Sequence, residues 1–435
     1  MTAVTGKIEN ARLIRPSSGA ARRPLPVGED GLEHKIRLLV FTSLYPNAER
    51  PRHGVFVEER LRHLVDSGRI AATVVAPVPW FPLKHRRFGE YAACARVPAR
   101  EERYGITVLH PRYPVIPKLG MSVAPSLMYH ALRPVLQKLL TSGEHFDLID
   151  AHYFYPDGVA ATRLGEALGK PVVITARGSD LTLLSRYRWP KQQVREAAEQ
   201  AAAIVTVAQA LKDEAVVLGM ESGKITVLRN GVDLERFRPL DRAAIRAKLN
   251  LKDDAWLAVG NLVELKGVHI TLAALAKAPD VTLLIAGDGP EEDTLRRLAD
   301  RLGITGRVRF LGAIAHDKLC DYYNAADAMV LASSREGMPN VVLESLACGT
   351  PVVATRVHGT PEVIAAPEAG ELMDERGPEA LLRAWEALRA RAPDHAATRQ
   401  FAERFGWAPV VDAQCALYAR VLADCRERAM AGAQA

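Results

Sequence analysis

The 435-residue chain contains no run of the ~18 consecutive apolar residues that a membrane-spanning helix needs, and its first residues carry no apolar signal core. A cytoplasmic location is the expectation that follows. Cysteine is scarce too: Cys94, Cys320, Cys348, Cys415 and Cys425 are odd in number, widely spaced and form no C-x-x-C pair. That pattern argues against a disulfide framework or a zinc site and leaves small core or surface residues. The absence of a G-x-G-x-x-G run counts against a nicotinamide enzyme. No Asp-x-Asp pair falls at a strand end, so no bound metal is expected. Nothing resembles an aromatic and basic single-strand platform or a helix-turn-helix, which leaves no nucleic-acid partner.

What is present is an ordinary globular composition, 48% hydrophobic and 25% charged. The length exceeds what one core usually organises, so two domains of roughly 200 residues are expected. A net charge of +6 and a pI near 9.0 favour anionic partners. By charge alone these are nucleotide diphosphates, lipid headgroups or nucleic acid.

Residues 1–34 are rich in Arg, Pro, Ser, Gly and Ala without apolar periodicity and read as a disordered tail. From Lys35 onward, short β-branched runs alternate with helical stretches. Strands are predicted at 36–42, 72–76, 148–151, 171–175 and 204–207, with a helix at 55–66; a second set falls at 256–259, 282–286, 308–311, 328–331 and 352–354. Such runs fit parallel sheets covered on both faces. Turn and breaker residues across 230–249 mark a junction. The expected organisation is a first domain at 35–222, a second at 223–404, and a C-terminal helix at 405–435 that packs back on the first domain. The fold class is α/β: two facing Rossmann-like, doubly wound domains with ligands in the cleft between them, at the carboxyl ends of the strands.

The strongest local pattern runs from Ser334 to Glu344 and holds Glu336 and Glu344 eight positions apart. Glu336 sits in a Gly/Pro turn after a strand, and from Pro339 the residues can enter a helix, with Pro tolerated in the first turn. A helix N-terminus there would hold a phosphate or a developing negative charge. Glu344 could accept two hydrogen bonds from a vicinal diol such as a ribose. Taken alone, the pattern equally fits a surface turn followed by an amphipathic helix.

The flanking text resembles glycosyltransferase family 4 with its E-x7-E signature. Upstream stand Ala286-Gly287-Asp288-Gly289-Pro290, Phe310-Leu311-Gly312 and Tyr322-Tyr323-Asn324-Ala325-Ala326-Asp327. Downstream stand Leu346-Ala347-Cys348-Gly349-Thr350-Pro351 and His358-Gly359-Thr360-Pro361-Glu362. The resemblance implies a GT-B fold and a retaining hexosyltransferase using a nucleotide-diphosphate sugar, with no metal and no other cofactor. It implies that Glu336 holds donor-sugar hydroxyls, Glu344 the ribose, and the backbone of Gly337, Met338, Pro339, Asn340, Val341 and Val342 the sugar and diphosphate.

Gly260-Asn261-Leu262-Val263-Glu264-Leu265-Lys266-Gly267 follows a predicted strand. Its glycine-rich turn permits close approach to phosphate, and Lys266 offers a point charge to a diphosphate leaving group, although a solvated lysine is the plain alternative. The family usually places an arginine where Asn261 stands, so leaving-group stabilisation is either weaker here or supplied by another residue such as Arg229.

In the first domain, His53-Gly54-Val55-Phe56-Val57 resembles the family branch that includes polysaccharide-building transferases, and places His53 and Gly54 at the cleft. His152 ends a predicted strand; a lone histidine there is more often structural, but the resemblance puts a sugar-contacting histidine at this position. Thr175-Ala176-Arg177-Gly178-Ser179-Asp180 resembles the family's Thr-x-His-Gly-x-Asp turn with arginine replacing histidine. Asp180 is an acceptor-site candidate, and Arg177 could meet a phosphate or an acidic acceptor. Asn230-Gly231 allows a φ > 0 turn and reads as architectural.

The aromatic and cationic run at 79–87 suits peripheral contact with an anionic membrane, on its cytoplasmic face, or is a solvated loop with a buried Trp80. The apolar stretch 123–140 shapes a lipid-acceptor groove or is a core helix. The expected partners are thus a nucleotide-diphosphate sugar and a saccharide or lipid-linked acceptor in cell-surface polysaccharide synthesis. The rivals are a sugar-nucleotide epimerase or phosphorylase on the same architecture and a non-catalytic nucleotide-sugar or polysaccharide binder.

Overall fold

A computed structural model describes residues 35–82, 85, 89–116, 120–183 and 187–434. The expected tail at 1–34 lies outside the described residues, as do Leu83, Lys84, Arg86 and Arg87 of the aromatic and basic run.

The buried runs assemble into two sheets. The first has the order Ile225–Val227, Ala203–Thr206, Val172–Ala176, Leu148–His152, Ile36–Phe41, Ile70–Val75, Ile106–Leu109, Arg100–Arg103. The strands Leu148–His152 and Val172–Ala176 are buried at every position, as a sheet covered on both faces requires. All its pairings are parallel except the last, where Arg100–Arg103 turns back on Ile106–Leu109 through Tyr104 and Gly105, both at positive φ. Those are the conformations a tight two-residue hairpin needs. The second sheet is wholly parallel: Val308–Gly312, Val281–Ala286, Asp254–Val259, Ala328–Leu331, Val352–Thr355, Gly370–Met373. The fold is α/β, with two Rossmann-like halves.

Each sheet changes winding direction once. In the first, Ile36–Phe41 lies beside Leu148–His152 with Leu38 opposite Leu148; in the second, Asp254–Val259 lies beside Ala328–Leu331 with Trp256 opposite Ala328. Loops leaving the carboxyl ends of such neighbouring strands diverge and open a crevice. The loops carrying His53, Lys266 and Glu336 leave three of these strands, and His152 ends the fourth.

The domain boundary needs a correction. Ile225–Val227 pairs parallel with the strand Ala203–Thr206, so the first sheet extends beyond residue 222. Three residues after a short turn give too weak a periodic signal for the sequence to register them as a strand. The chain then crosses to the second half and returns beside its own outward path: Val232 donates its amide to Phe405 O (2.9 Å) and bridges to Gly406.

After that return, the helix Trp407–Gln434 lies on the first half. Its Val411, Cys415, Leu417, Tyr418 and Val421 share one core with Ile36, Leu38, Val40, Leu61 and Leu64. The helix Gly120–Thr141 is a core helix, burying Met128, Leu132 and Leu136 at i, i+4 spacing against Phe154 and Leu164. Trp80 is 56% exposed, which removes the buried-Trp alternative for its loop. The five cysteines are free thiols, four of them buried. No helix among the described residues is long and apolar enough to cross a membrane.

Gly231 is required for a reason other than its turn. Its backbone is not left-handed; instead, an added Cβ would lie 2.4 Å from Cδ2 of Trp407, the first residue of the returning helix. Gly231→Ala is therefore expected to destabilise the protein by about 1–3 kcal/mol through overpacking. An unchanged urea midpoint would show that the helix start does not press on the linker.

Candidate active site between the two sheets

The second sheet supplies a charged pair. Lys266 ends the short helical turn Glu264–Lys266 after the strand Asp254–Val259, and Glu336 lies in the turn after Ala328–Leu331. The two turns are tied by Ser334 N–H to Leu265 O (2.9 Å), and Lys266 Nζ sits 2.6 Å from Glu336 Oε1. Both side chains are mostly covered, at 25% and 10% exposure, so solvent screens the pair only in part. Beside them begins the helix Asn340–Ala347, whose first amides have no partner within the helix. Met338 and Val342 are buried in the core of this half, so what they can offer a ligand is backbone. Gly260 is half-buried and Asn261 exposed.

Glu344 is held firmly. Its Oε1 is 2.9 Å from His316 Nε2, and its Oε2 accepts from the Tyr323 hydroxyl at 2.8 Å. His316 Nδ1 lies 3.3 Å from Glu59 Oε1 on the helix Val55–Asp66, and Arg236 Nη1 donates to that same oxygen at 2.6 Å. Burial pushes the imidazole pKa down, but hydrogen bonds to Glu344 and Glu59 and their charges outweigh it and raise it to about 10. His316 is thus an imidazolium clamped between carboxylates of the two halves. Burial pushes Glu59 up, yet its hydrogen bond to His316 and the charges of His316 and Arg236 hold it below the usual carboxylate value.

The first sheet supplies His152 at the end of its strand, 2% exposed. Arg177 Nη2 donates to His152 Nδ1 at 2.8 Å, and His152 Nε2 lies 3.0 Å from Asp150 Oδ2. Burial and the Arg177 charge lower the histidine pKa against the pull of Asp150, so the ring is neutral with its proton on Nε2, a tautomer assigned from these partners. Both nitrogens are occupied, and a sugar hydroxyl can reach one only if Arg177 gives up its bond.

His53 Nε2 lies 3.2 Å from Ser43 O, and Gly54, at φ 73, caps the helix that follows; a Cβ there would lie 2.3 Å from Leu44 O. Asp180 does not face the cleft. It is fully buried, and its oxygens accept the backbone amides of Gly178 (2.7 Å), Phe154 (2.9 Å) and Arg177 (3.1 Å). That carboxylate shapes the turn; from sequence, a loop aspartate shows nothing of the amides around it. Arg229 has its guanidinium 2.8 Å from Glu362 Oε2.

The two sets of loops touch. A Cβ on Gly337 would lie 2.0 Å from Arg177 O, and one on Gly178 3.1 Å from Gly337 Cα. Asn230 in the linker joins both sides: its Oδ1 accepts from Arg177 Nη1 (3.1 Å), and its Nδ2 donates to Asn340 Oδ1 (2.7 Å). The sequence reading left Asn230 out of the site and missed Glu59, Arg236 and His316 altogether, since their partnership joins residues far apart in the chain. Tyr323 stood inside a motif already quoted, but its hydroxyl contact was invisible there.

Residues 53–236 match the family model described as Glycosyltransferase Family 4, and residues 241–404 match Glycosyl transferases group 1. The chain is 32% identical over 332 residues to TuaC of Bacillus subtilis (strain 168), a glycosyltransferase named for teichuronic acid biosynthesis; the alignment covers 74% of this chain and 82% of that one. The chain belongs to glycosyltransferase family 4. A D-inositol 3-phosphate glycosyltransferase of Mycolicibacterium smegmatis is 40% identical over 224 residues, a match spanning 48% of this chain and 50% of that one. Sucrose-phosphate synthase from Thermosynechococcus elongatus has a TM-score of 0.74 at 20% identity, covering 90% of this chain and 100% of that one. HepE of Anabaena in complex with UDP-glucose has a TM-score of 0.64 at 20% identity, covering 88% and 99%. These two share the fold. The family 4 protein is a glycosyltransferase with GT-B architecture.

The His316 clamp makes stability depend on pH. Because its folded pKa of about 10 exceeds the ordinary 6.5, its contribution is complete below pH 6.5, as long as its carboxylate partners stay ionised, and is lost as pH rises through about 10. The Tm gap between wild type and His316→Ala should therefore be widest near pH 6 and shrink steadily toward pH 10. A gap that is flat across that range would show that the imidazolium is not what the variant removes.

Proposed function

We propose that this family 4 protein is a retaining hexosyltransferase that takes a sugar from a nucleotide-diphosphate donor and delivers it to a saccharide or lipid-linked acceptor in cell-surface polysaccharide synthesis. The observation that carries this reading is the Lys266–Glu336 pair, 2.6 Å apart at the switch point of the second sheet and beside a helix N-terminus. The naming of TuaC for teichuronic acid biosynthesis supports the polymer, and the UDP-glucose complex of HepE supports the donor class.

In this mechanism the diphosphate lies over the first amides of Asn340–Ala347, whose dipole and N–H groups meet its charge together with Lys266. Glu336 orients donor hydroxyls, and Glu344 takes the ribose with the lone pairs that His316 and Tyr323 leave open. The acceptor approaches from the first half, near His53 and His152. Its hydroxyl attacks the anomeric carbon from the face the diphosphate leaves, and the departing phosphate oxygen accepts its proton. No protein base is then required. Closure of the halves excludes water and limits hydrolysis.

Charge on the diphosphate is met without a metal, and the protein docks peripherally on the cytoplasmic face of a membrane. Trp80, Tyr187 and Trp189, at 56%, 49% and 65% exposure, are amphipathic side chains that suit such an interface.

Slow hydrolysis of a panel of UDP-, GDP- and ADP-sugars is the test. One donor should turn over, Glu336→Ala and Lys266→Ala should each lower kcat/KM by about 10²–10³-fold, and EDTA should leave the rate unchanged. Turnover indifferent to both substitutions would place the chemistry elsewhere, and a loss restored by Mg²⁺ or Mn²⁺ would overturn the metal-independent part.

A further inference from the structure

Arg177 makes no ion pair among the described residues. Its backbone amide bonds Asp180, but its guanidinium reaches no carboxylate: one arm donates to the neutral ring of His152, another to the amide oxygen of Asn230, and Nε is buried with no partner. The remaining face lies 5.1 Å from the Phe56 ring centroid. The charges of Asp150 and Asp180 nearby offset it only in part. Asp180 is saturated by backbone amides, Asp150 is drawn toward His152 Nε2, and Arg60 is itself fully buried with only Gln414 and Leu228 O as acceptors. Burial first, and the charge of Arg60 second, bring Arg177 down to about 9, still protonated at neutral pH.

The carbonyl of Arg177 packs on Gly337, and its side chain connects through Asn230 to Asn340, the first residue of the helix whose N-terminus faces the cleft. The other charges expected to serve an anion there are diminished: position 261 is a neutral asparagine, Arg229 is bound to Glu362, and Lys266 is bound to Glu336.

We propose that Arg177 is the cation of an anion subsite in the cleft that takes a phosphoryl group. The group is either the donor's diphosphate, for which Arg177 supplies the charge absent at Asn261, or a phosphate carried by the acceptor. A guanidinium fork with unspent donors matches phosphate oxygens, and on binding it releases His152 Nδ1 toward the sugar. The subsite thus rests on the reading of this cleft as the nucleotide-sugar site.

Calorimetric titration of the full chain with UDP, GDP and ADP, and with the corresponding nucleosides, tests it. If the donor supplies the phosphoryl group, Arg177→Gln weakens the preferred diphosphate by about tenfold or more and leaves its nucleoside unaffected. If the acceptor supplies it, diphosphate affinity is unchanged, but inorganic phosphate binds to the diphosphate-saturated wild type and not to Arg177→Gln. Equal behaviour of wild type and variant in both arms overturns the proposal. Should glutamine abolish the cooperative melt, Arg177→His at pH 8 replaces it, a neutral side chain of the type the family usually carries in this turn, with the same outcomes decisive. Lys266→Ala is the control: if it too leaves diphosphate binding intact, the reading of the cleft fails, whereas loss with Lys266→Ala while Arg177→Gln matches wild type in both arms removes only the role of Arg177.

Discussion

Two loops from different sheets approach at Gly337 until no methyl group fits between its Cα and the Arg177 carbonyl. Gly359 closes in from the other side, where a Cβ would lie 2.1 Å from Gly337 O. The cleft depends on this approach, because the Arg177–Asn230–Asn340 chain spans it only while the two loops remain at backbone distance. A side chain at position 337 would act as a wedge, lengthening every bond across the gap at once. Close packing of this kind transmits displacement rather than absorbing it.

Around that contact, the charges fall into two groups. Lys266 with Glu336, His316 with Glu59 and Glu344, and Arg229 with Glu362 are matched pairs or clamps that fix geometry. Arg177 and Arg60 make no ion pair among the described residues and feel Asp150 only at longer range, beside His152 in the first half. A covered cation without a partner is unfavourable unless something else meets it, whereas matched pairs hold side chains in the positions from which they can meet a donor. The cleft is therefore polarised, rigid on the side of the second sheet and electrostatically open on the side of the first.

Much of this was legible in the sequence because parallel strands buried on both faces leave uninterrupted apolar runs. The helix Val55–Asp66 and the strand Ala328–Leu331 are where the pattern put them, and the loops carrying Lys266 and Glu336 follow strands as their motifs implied. The edge strand Arg100–Arg103 escaped notice because four charged residues carry no hydrophobic alternation, a common property of edges protected against stray pairing. Partnerships across the chain were out of reach for a different reason. Nothing local marks His316 as the bridge between Glu59 and Glu344, or separates Asp180, wrapped in backbone amides, from an aspartate that faces a substrate.

The returning helix Trp407–Gln434 also sets an order of events. Val411, Cys415 and Tyr418 complete the core formed by Ile36, Val40 and Leu61, so the first half of the protein is finished by a helix synthesised only after the whole of the second half. Until that helix emerges from the ribosome, the helix Val55–Asp66 shows an apolar flank to solvent, and Arg60 lacks the Gln414 oxygen it bonds at 2.6 Å. Contacts this distant in sequence close slowly. The nascent protein consequently waits, with its first half open, for this helix to arrive, and that interval is when a chaperone has a surface to hold.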